Sequence, residues 1–125
     1  MFWKKKPKVP TPQVTDDNFD AMVRKSEIPV LLDFYADWCG PCKVLGPIID
    51  EMSRDYSGRA LVAKVNTEHN PMLSQKFAIK SIPCIMFINK GMLMERFNGL
   101  VPKPNLEEIL DEYIAINAEE KENLG

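Results

Sequence analysis

Apolar residues recur along this chain with two periods, and the way those periods alternate sets out its elements. Val30, Leu31 and Leu32 form an apolar run of strand type that carries on to Phe34 and Tyr35. Residues 61–65 and 84–88 are further runs of that kind. Between the first two, Val44, Leu45, Ile48, Ile49, Met52 and Tyr56 recur at helical spacing, which predicts a helix from about Cys39 to Tyr56, closed by Ser57 and Gly58. Pro47 falls inside it. A proline there removes one hydrogen bond and crowds the carbonyl of Lys43, but the apolar stripe stays in phase on both sides, so a kink is expected and not a break.

The flanking elements follow from the same reading. Thr15 is a candidate N-cap, with Asp16 and Asp17 in the first turn, where carboxylates suit the helix dipole. Phe19, Met22 and Val23 then give the apolar stripe of a first helix, and Val14 before it opens an edge strand. Asn70 and Pro71 begin a short helix to about Phe77, with Met72, Leu73, Phe77 and Ala78 facing inward. Asn89-Lys90-Gly91 is a tight turn, so residues 92–97 return antiparallel to 84–88. Leu106, Ile109, Leu110, Tyr113 and Ile114 mark a final amphipathic helix, with Pro104 and Asn105 near its start. Strands 30–35 and 61–65 are joined through a helix and should be parallel with a right-handed crossover. The order β-α-β-α-β-α-β-β-α implies an α/β fold, a mixed sheet with helices on both faces.

Composition narrows the class. At 125 residues the chain is one domain with room for a core, and 45% hydrophobic with 27% charged residues is ordinary for a soluble globular protein. A net charge of -2 argues against nucleic acid as main partner, and no apolar run approaches the roughly 20 residues of a membrane span. Residues 1–12, with Pro7, Pro10 and Pro12, read as a flexible basic arm, 13–117 as the domain and 118–125 as a solvated tail. The first eight residues pair two aromatics with four lysines, which also suits a weak anchor on an anionic surface. No apolar stretch follows, so they are not a secretory signal. Three cysteines, two of them in a C-x-x-C, suit a redox protein of a reducing compartment, with the cytoplasm expected.

The chemistry concentrates where the first strand meets the second helix. Cys39 and Cys42 are three apart in a first helical turn, within about 5–6 Å of each other and so within disulfide reach. A helix N-terminus carries partial positive charge and unpaired N–H groups that favour thiolate over thiol. Cys39, at the outer end, is the expected attacking thiol and Cys42 the resolving one. Pro41 suits a first turn, which needs no intrahelical N–H, and stiffens the spacing of the sulfurs. Asp33 interrupts an apolar run, where a carboxylate is costly without a task or a partner. Either it is a strand-end residue in contact with water, or it is buried, its proton affinity raised by desolvation, and able to take and return the proton of a buried thiol through water. Trp38 reads as part of a docking surface across the site, against the alternative of simple core.

Trp38-Cys39-Gly40-Pro41-Cys42 resembles the active-site pentapeptide of the thioredoxin family residue for residue. Asp33 stands where that family has its buried acid, Lys64 where it has the partner lysine, and Ile82-Pro83 matches its cis-proline. Asn89-Lys90-Gly91 matches the hairpin turn and Gly99 a glycine beside the groove, the likeness running over residues 14–115. The resemblance implies a sheet of four to five strands with four helices, and a protein-disulfide reductase with no bound cofactor or metal. It further implies a groove lined by Trp38, Gly40, Pro41, Ile82, Pro83 and Gly99, in which the backbone of Ile82 pairs with a substrate strand. Partners would be protein disulfides and a thioredoxin-reductase-type electron donor, with the protein a monomer.

Other readings stand beside this one. A thioredoxin-like binding module, whose groove holds a partner while its cysteines matter little, is the rival class; an intact Cys39–Cys42 motif with Asp33 and Lys64 argues against it. The three cysteines and His69 permit a zinc site on paper, but Pro41 inside the loop and the want of a second close-spaced ligand pair count against it, and His69 reads as a surface residue. The methionines at 22, 52, 72, 86, 92 and 94 fall on core-phase positions or in the hairpin. Ser81, Thr67, Asn98 and Cys84 depart from the usual family pattern, which makes the groove more polar. Cys84 opens a strand apolar at every position, so it is expected buried, protonated and inert, with no basic residue close by; Lys80 is four positions back.

Overall fold

The central strand β1 (Val30–Tyr35) is buried along nearly all its length, which explains an apolar run with no alternation. A computed structural model describes residues 9–124. It adds α1 (Gly40–Asp55), β2 (Leu61–Asn66), α2 (Pro71–Lys76), β3 (Cys84–Asn89), β4 (Met92–Asn98) and α3 (Lys103–Leu124). Among the described residues the sheet has four strands in the order β2-β1-β3-β4. β1 pairs parallel with β2 and antiparallel with β3, which pairs antiparallel with β4. The basic stretch of residues 1–8 lies outside the described residues.

The sheet separates two apolar layers. On one face Val30, Leu32 and Phe34 pack with Cys84, Met86 and Ile88 against Phe19, Val23 and Leu73. On the other, Leu31, Ile85 and Phe87 pack with Leu45, Ile49 and Met52 of α1 and Leu106 and Leu110 of α3. Each fully buried aliphatic or aromatic side chain contributes about 1.5–3 kcal/mol, so these layers supply most of the stabilisation. α1 runs unbroken through Pro47 and ends at Tyr56, where Gly58 (φ +85°) turns the chain. In the β3–β4 hairpin Lys90 (φ 52°) and Gly91 (φ +80°) both take the left-handed conformation of a type I′ turn. A Cβ on Gly91 would also lie 2.8 Å from the carbonyl oxygen of Arg24.

Several expectations are corrected. Val14 opens no strand: Gln13 makes a single parallel bridge to Lys64, with the Val14 N–H donating to Lys64 O at 2.8 Å. The first helix is one π-helical turn, Asp20–Arg24, closed by Lys25 N–H on Asp20 O. Thr15 does not cap it: its Oγ1 accepts from Asn18 N–H at 3.2 Å in the preceding turn, while the helical turn is entered at Phe19 with no side-chain cap. Asp16 instead caps α2, its carboxylate accepting from the N–H groups of Met72 at 3.1 Å and Leu73 at 2.8 Å. Met72 therefore sits at an exposed helix start and not in the core, and Ala78 after the helix is exposed too; Met92 and Met94 lie in the hairpin, as expected, and are exposed on its edge strand. Residues 118–124 are solvated but helical, because α3 continues to Leu124, tied by Lys90 to Glu120 and by reciprocal Asn89–Asn117 amide bonds of 2.9 Å. Residues 11 and 12 of the expected arm are held: Thr11 Oγ1 donates to Asp50 Oδ1 at 2.6 Å and Pro12 O accepts from Lys64 N–H.

Candidate active site

β1 delivers the chain through Ala36, Asp37 and Trp38 to the N-terminus of α1, where Cys39 is the N-cap in extended conformation. Its sulfur accepts from Cys42 N–H at 3.2 Å, and Gly40 and Pro41 fill the first helical positions. Cys39 and Cys42 are disulfide-bonded with a Cα–Cα separation of 5.3 Å. A negative charge on Cys39 Sγ would meet this N–H and the positive end of the helix dipole. Both cysteines are buried, and beside them the Trp38 side chain is 69% exposed.

The start of β3 faces this turn because Phe34 and Cys84 are register partners, which sets the preceding loop against the end of β1. The Ile82–Pro83 bond is cis, and Ile82 O lies 3.8 Å from Cys39 Sγ. Gly99, at φ +96°, donates its N–H to Pro83 O at 2.8 Å and ties β4 to the same loop. Trp38, Gly40, Pro41, Ile82, Pro83 and Gly99 thus come together around the disulfide. Leu100, next to Gly99 in the chain, is 53% exposed. Thr67 spends its hydroxyl on Tyr35 O at 3.1 Å, and Asn98 is exposed.

Asp33 is 1% exposed, and neither of its side-chain oxygens has a hydrogen-bond partner. Burial pushes its carboxyl up to about 7; the Lys64 ammonium opposes the rise and the Asp50 carboxylate adds to it. Lys64 stands opposite Asp33 in the β1–β2 register, yet its ammonium pairs with Asp50 Oδ1 at 2.8 Å. Sequence reasoning missed Asp50. Its signal was a second helix stripe, Cys42, Gly46 and Asp50 at successive fours, beside the apolar one. A cleft of about 310 Å³ is lined by these three residues together with Lys64.

Cys84 is buried on the opposite layer. Burial pushes its thiol up, and the Arg96 guanidinium works against the rise. This corrects the expectation that no basic residue is close: Arg96 comes from β4, donating to Phe77 O and to Ala78 O, the latter at 3.1 Å. His69 is exposed. Among the described residues no three His, Cys, Asp or Glu side chains are grouped to hold a metal ion, and no helix is long and apolar enough to cross a membrane.

Comparison with known proteins bears on this arrangement. The Thioredoxin family model matches residues 10–112. A thioredoxin of Synechocystis sp. is 43% identical over 104 residues, covering 83% of this chain and 97% of that protein. Thioredoxin 1 of Nostoc sp. is 41% identical over 102 residues, covering 82% and 95%. A chloroplastic M-type thioredoxin of Spinacia oleracea is 40% identical over 102 residues, covering 82% of this chain and 56% of that protein.

Proposed function

This chain belongs to the thioredoxin family and is a thiol–disulfide oxidoreductase working by dithiol–disulfide exchange, and from that premise we propose how its residues divide the reaction. Cys39, as thiolate, attacks one sulfur of a substrate disulfide. The substrate S–S bond breaks, one substrate thiolate leaves, and a mixed disulfide with Cys39 forms. Asp33 then takes the Cys42 proton through water, and the Cys42 thiolate attacks Cys39 Sγ. The second substrate thiolate leaves, the Cys39–Cys42 bond forms, and two electrons have passed to the substrate. A reductase-type donor restores the dithiol, and Asp33 returns its proton to Cys42.

The observation that carries this division is the N-cap position of Cys39. Its sulfur accepts Cys42 N–H at 3.2 Å, which stabilises an anion on the attacking atom. Lys64 moderates the charge on Asp33. The Ile82 backbone, beside Cys39, is the pairing edge for a substrate strand, and Trp38, Gly40, Pro41, Pro83 and Gly99 flank that strand. Residues 13–117 carry every group named here. We place the protein in a reducing compartment, the cytoplasm, on its cysteine usage, and take it as a monomer, with the groove open to substrate.

Trapping tests the assignment. Cys42→Ser should accumulate stable mixed disulfides through Cys39, read by non-reducing gels and peptide mass spectrometry, while Cys39→Ser should form none. Equal trapping through Cys42 in the Cys39→Ser variant would reverse the roles. Substrate turnover coupled to a reductase separates this function from that of a binding module.

A further inference from the structure

Lys64 is placed by the sheet to neutralise Asp33, and it does something else. The two are register partners on adjacent parallel strands, which lie about 4.7–4.9 Å apart. A lysine so placed beside an otherwise unpartnered carboxylate would hold it ionised, and an ionised, well-paired carboxylate is a poor acceptor for a thiol proton. The Lys64 ammonium instead lies 2.8 Å from Asp50 on α1, and both oxygens of Asp33 stay unpartnered.

The physical reason lies in where each carboxylate sits. The Asp50 side chain is 39% exposed and keeps its charge at small cost, whereas ionising the buried Asp33 costs its full desolvation. Asp50 is also fixed in place, since Thr11 donates its hydroxyl at 2.6 Å to the same Oδ1 that Lys64 binds. Gly46 leaves the ammonium uncovered on the helix side; a Cβ there would stand 3.5 Å from Nζ. Together these contacts join the segment before β1, the helix of the redox pair and β2 at one point.

We infer that Asp50, pinned by Thr11, is a positioning residue that draws the Lys64 ammonium off Asp33 and thereby keeps Asp33 able to carry a proton near neutral pH. The charged groups acting on Asp33 are Lys64 from β2 and Asp50 from α1, which share a cleft with Cys42; its register partner on β3 is the apolar Ile85, with Cys84 on the opposite face of the sheet. Arg96 from β4 acts on Cys84. Asp50 therefore works twice in one direction: it occupies the only cation of the set that opposes protonation of Asp33, and its own charge adds to that protonation. The inference rests on Asp33 as the proton carrier of the proposed reaction.

The test is the Asp33 titration itself, followed by carboxyl ¹³C NMR in the oxidised protein, with the pH profile of the resolving step measured alongside. In Asp50→Asn the Asp33 midpoint should fall by about one pH unit, since a freed ammonium and a lost negative charge act the same way. Asp50→Glu should restore at least part of the difference, and Lys64→Met should move the midpoint upward. Thr11→Val removes only the pinning hydroxyl, should shift the midpoint the same way by less, and serves if Asp50→Asn does not fold. An unmoved Asp33 midpoint in the folded Asp50 or Thr11 variant overturns the inference. A midpoint that moves while the rate profile stays where it was overturns instead the reading of Asp33 as proton carrier.

Discussion

Asp33 and Cys84 are both titratable, both buried and carried on neighbouring strands, but they face opposite layers of the sheet. Burial raises both proton affinities, as it must for any group that becomes negative on ionising. Their surroundings then diverge. Asp33 looks toward α1, where Lys64 and Asp50 line the same cleft as Cys42. Cys84 looks into Phe34, Met86 and Leu73, and its nearby cation, Arg96, is committed to the carbonyls of Phe77 and Ala78. Burial sets the direction of a shift; the side of the sheet a group faces, toward the helix of the redox pair or away from it, decides whether the shifted group can take part in chemistry.

The largest effect that tests this contrast is on stability. An Asp33 carboxyl at about 7 in the folded protein, against about 4 unfolded, means the folded state binds the extra proton between those values. The unfolded state then holds fewer protons, so stability falls as pH rises through that window and is level above it. The loss comes to roughly 4 kcal/mol by linkage, an order of magnitude for a site this buried. Asp33→Asn should lack this slope and be more stable than the parent by roughly 3 kcal/mol at about pH 8, with little difference near pH 4. Denaturant melts of the oxidised proteins across this range check it. A parent protein as stable at pH 8 as at pH 5 would mean that Asp33 is solvated and that the contrast with Cys84 is one of degree.

A smaller effect separates the two layers at their shared rim. Cys84 and Asn98 are register partners, one buried and the other exposed. Asn98→Val should strengthen binding of apolar target peptides by about 1 kcal/mol or less, seen as a KM lowered by up to about fivefold with kcat unchanged. Thr67→Ile is the less clean probe, because the Thr67 hydroxyl is bonded to Tyr35 O and its loss would disturb the end of β1. An unchanged KM for Asn98→Val places residue 98 outside the docking surface.

What was legible in the sequence was local. The Cys39–Cys42 turn, the I′ turn at Lys90 and Gly91, the sheet and the cost of Asp33 all follow from residues within a few positions of each other or from strand periodicity. What was not legible was long-range and polar. Thr11 meets Asp50 across 39 positions, so Lys64 could be put opposite Asp33 but not turned away from it. Arg96 reaches Cys84 from the next strand. Asp16 caps a helix more than 50 positions on, which no capping pattern along the chain reveals. The end of α3 has no apolar stripe to announce it and is held by Lys90 and Asn89 from the hairpin.

The smallest effect is the one expected at Cys84 itself. Its thiol is buried, 0% exposed, beneath α2 and the π-helical turn, on the layer that does not carry the redox pair. Burial keeps it protonated, and a thiol is a poor nucleophile in that form. Arg96 is the group that works against this, since a guanidinium beside a thiol favours thiolate, but two carbonyls on the loop after α2 share it and burial outweighs it. Brief alkylation of the reduced native protein should therefore label Cys39 first and leave Cys84 until denaturant is added. Cys84→Thr, nearly isosteric and with a hydroxyl that can accept from Arg96, should keep turnover within about twofold. Labelling of Cys84 as fast as Cys39, or a native disulfide from Cys84 to either partner, would show that the layers exchange and that Cys84 has the access now reserved for Asp33.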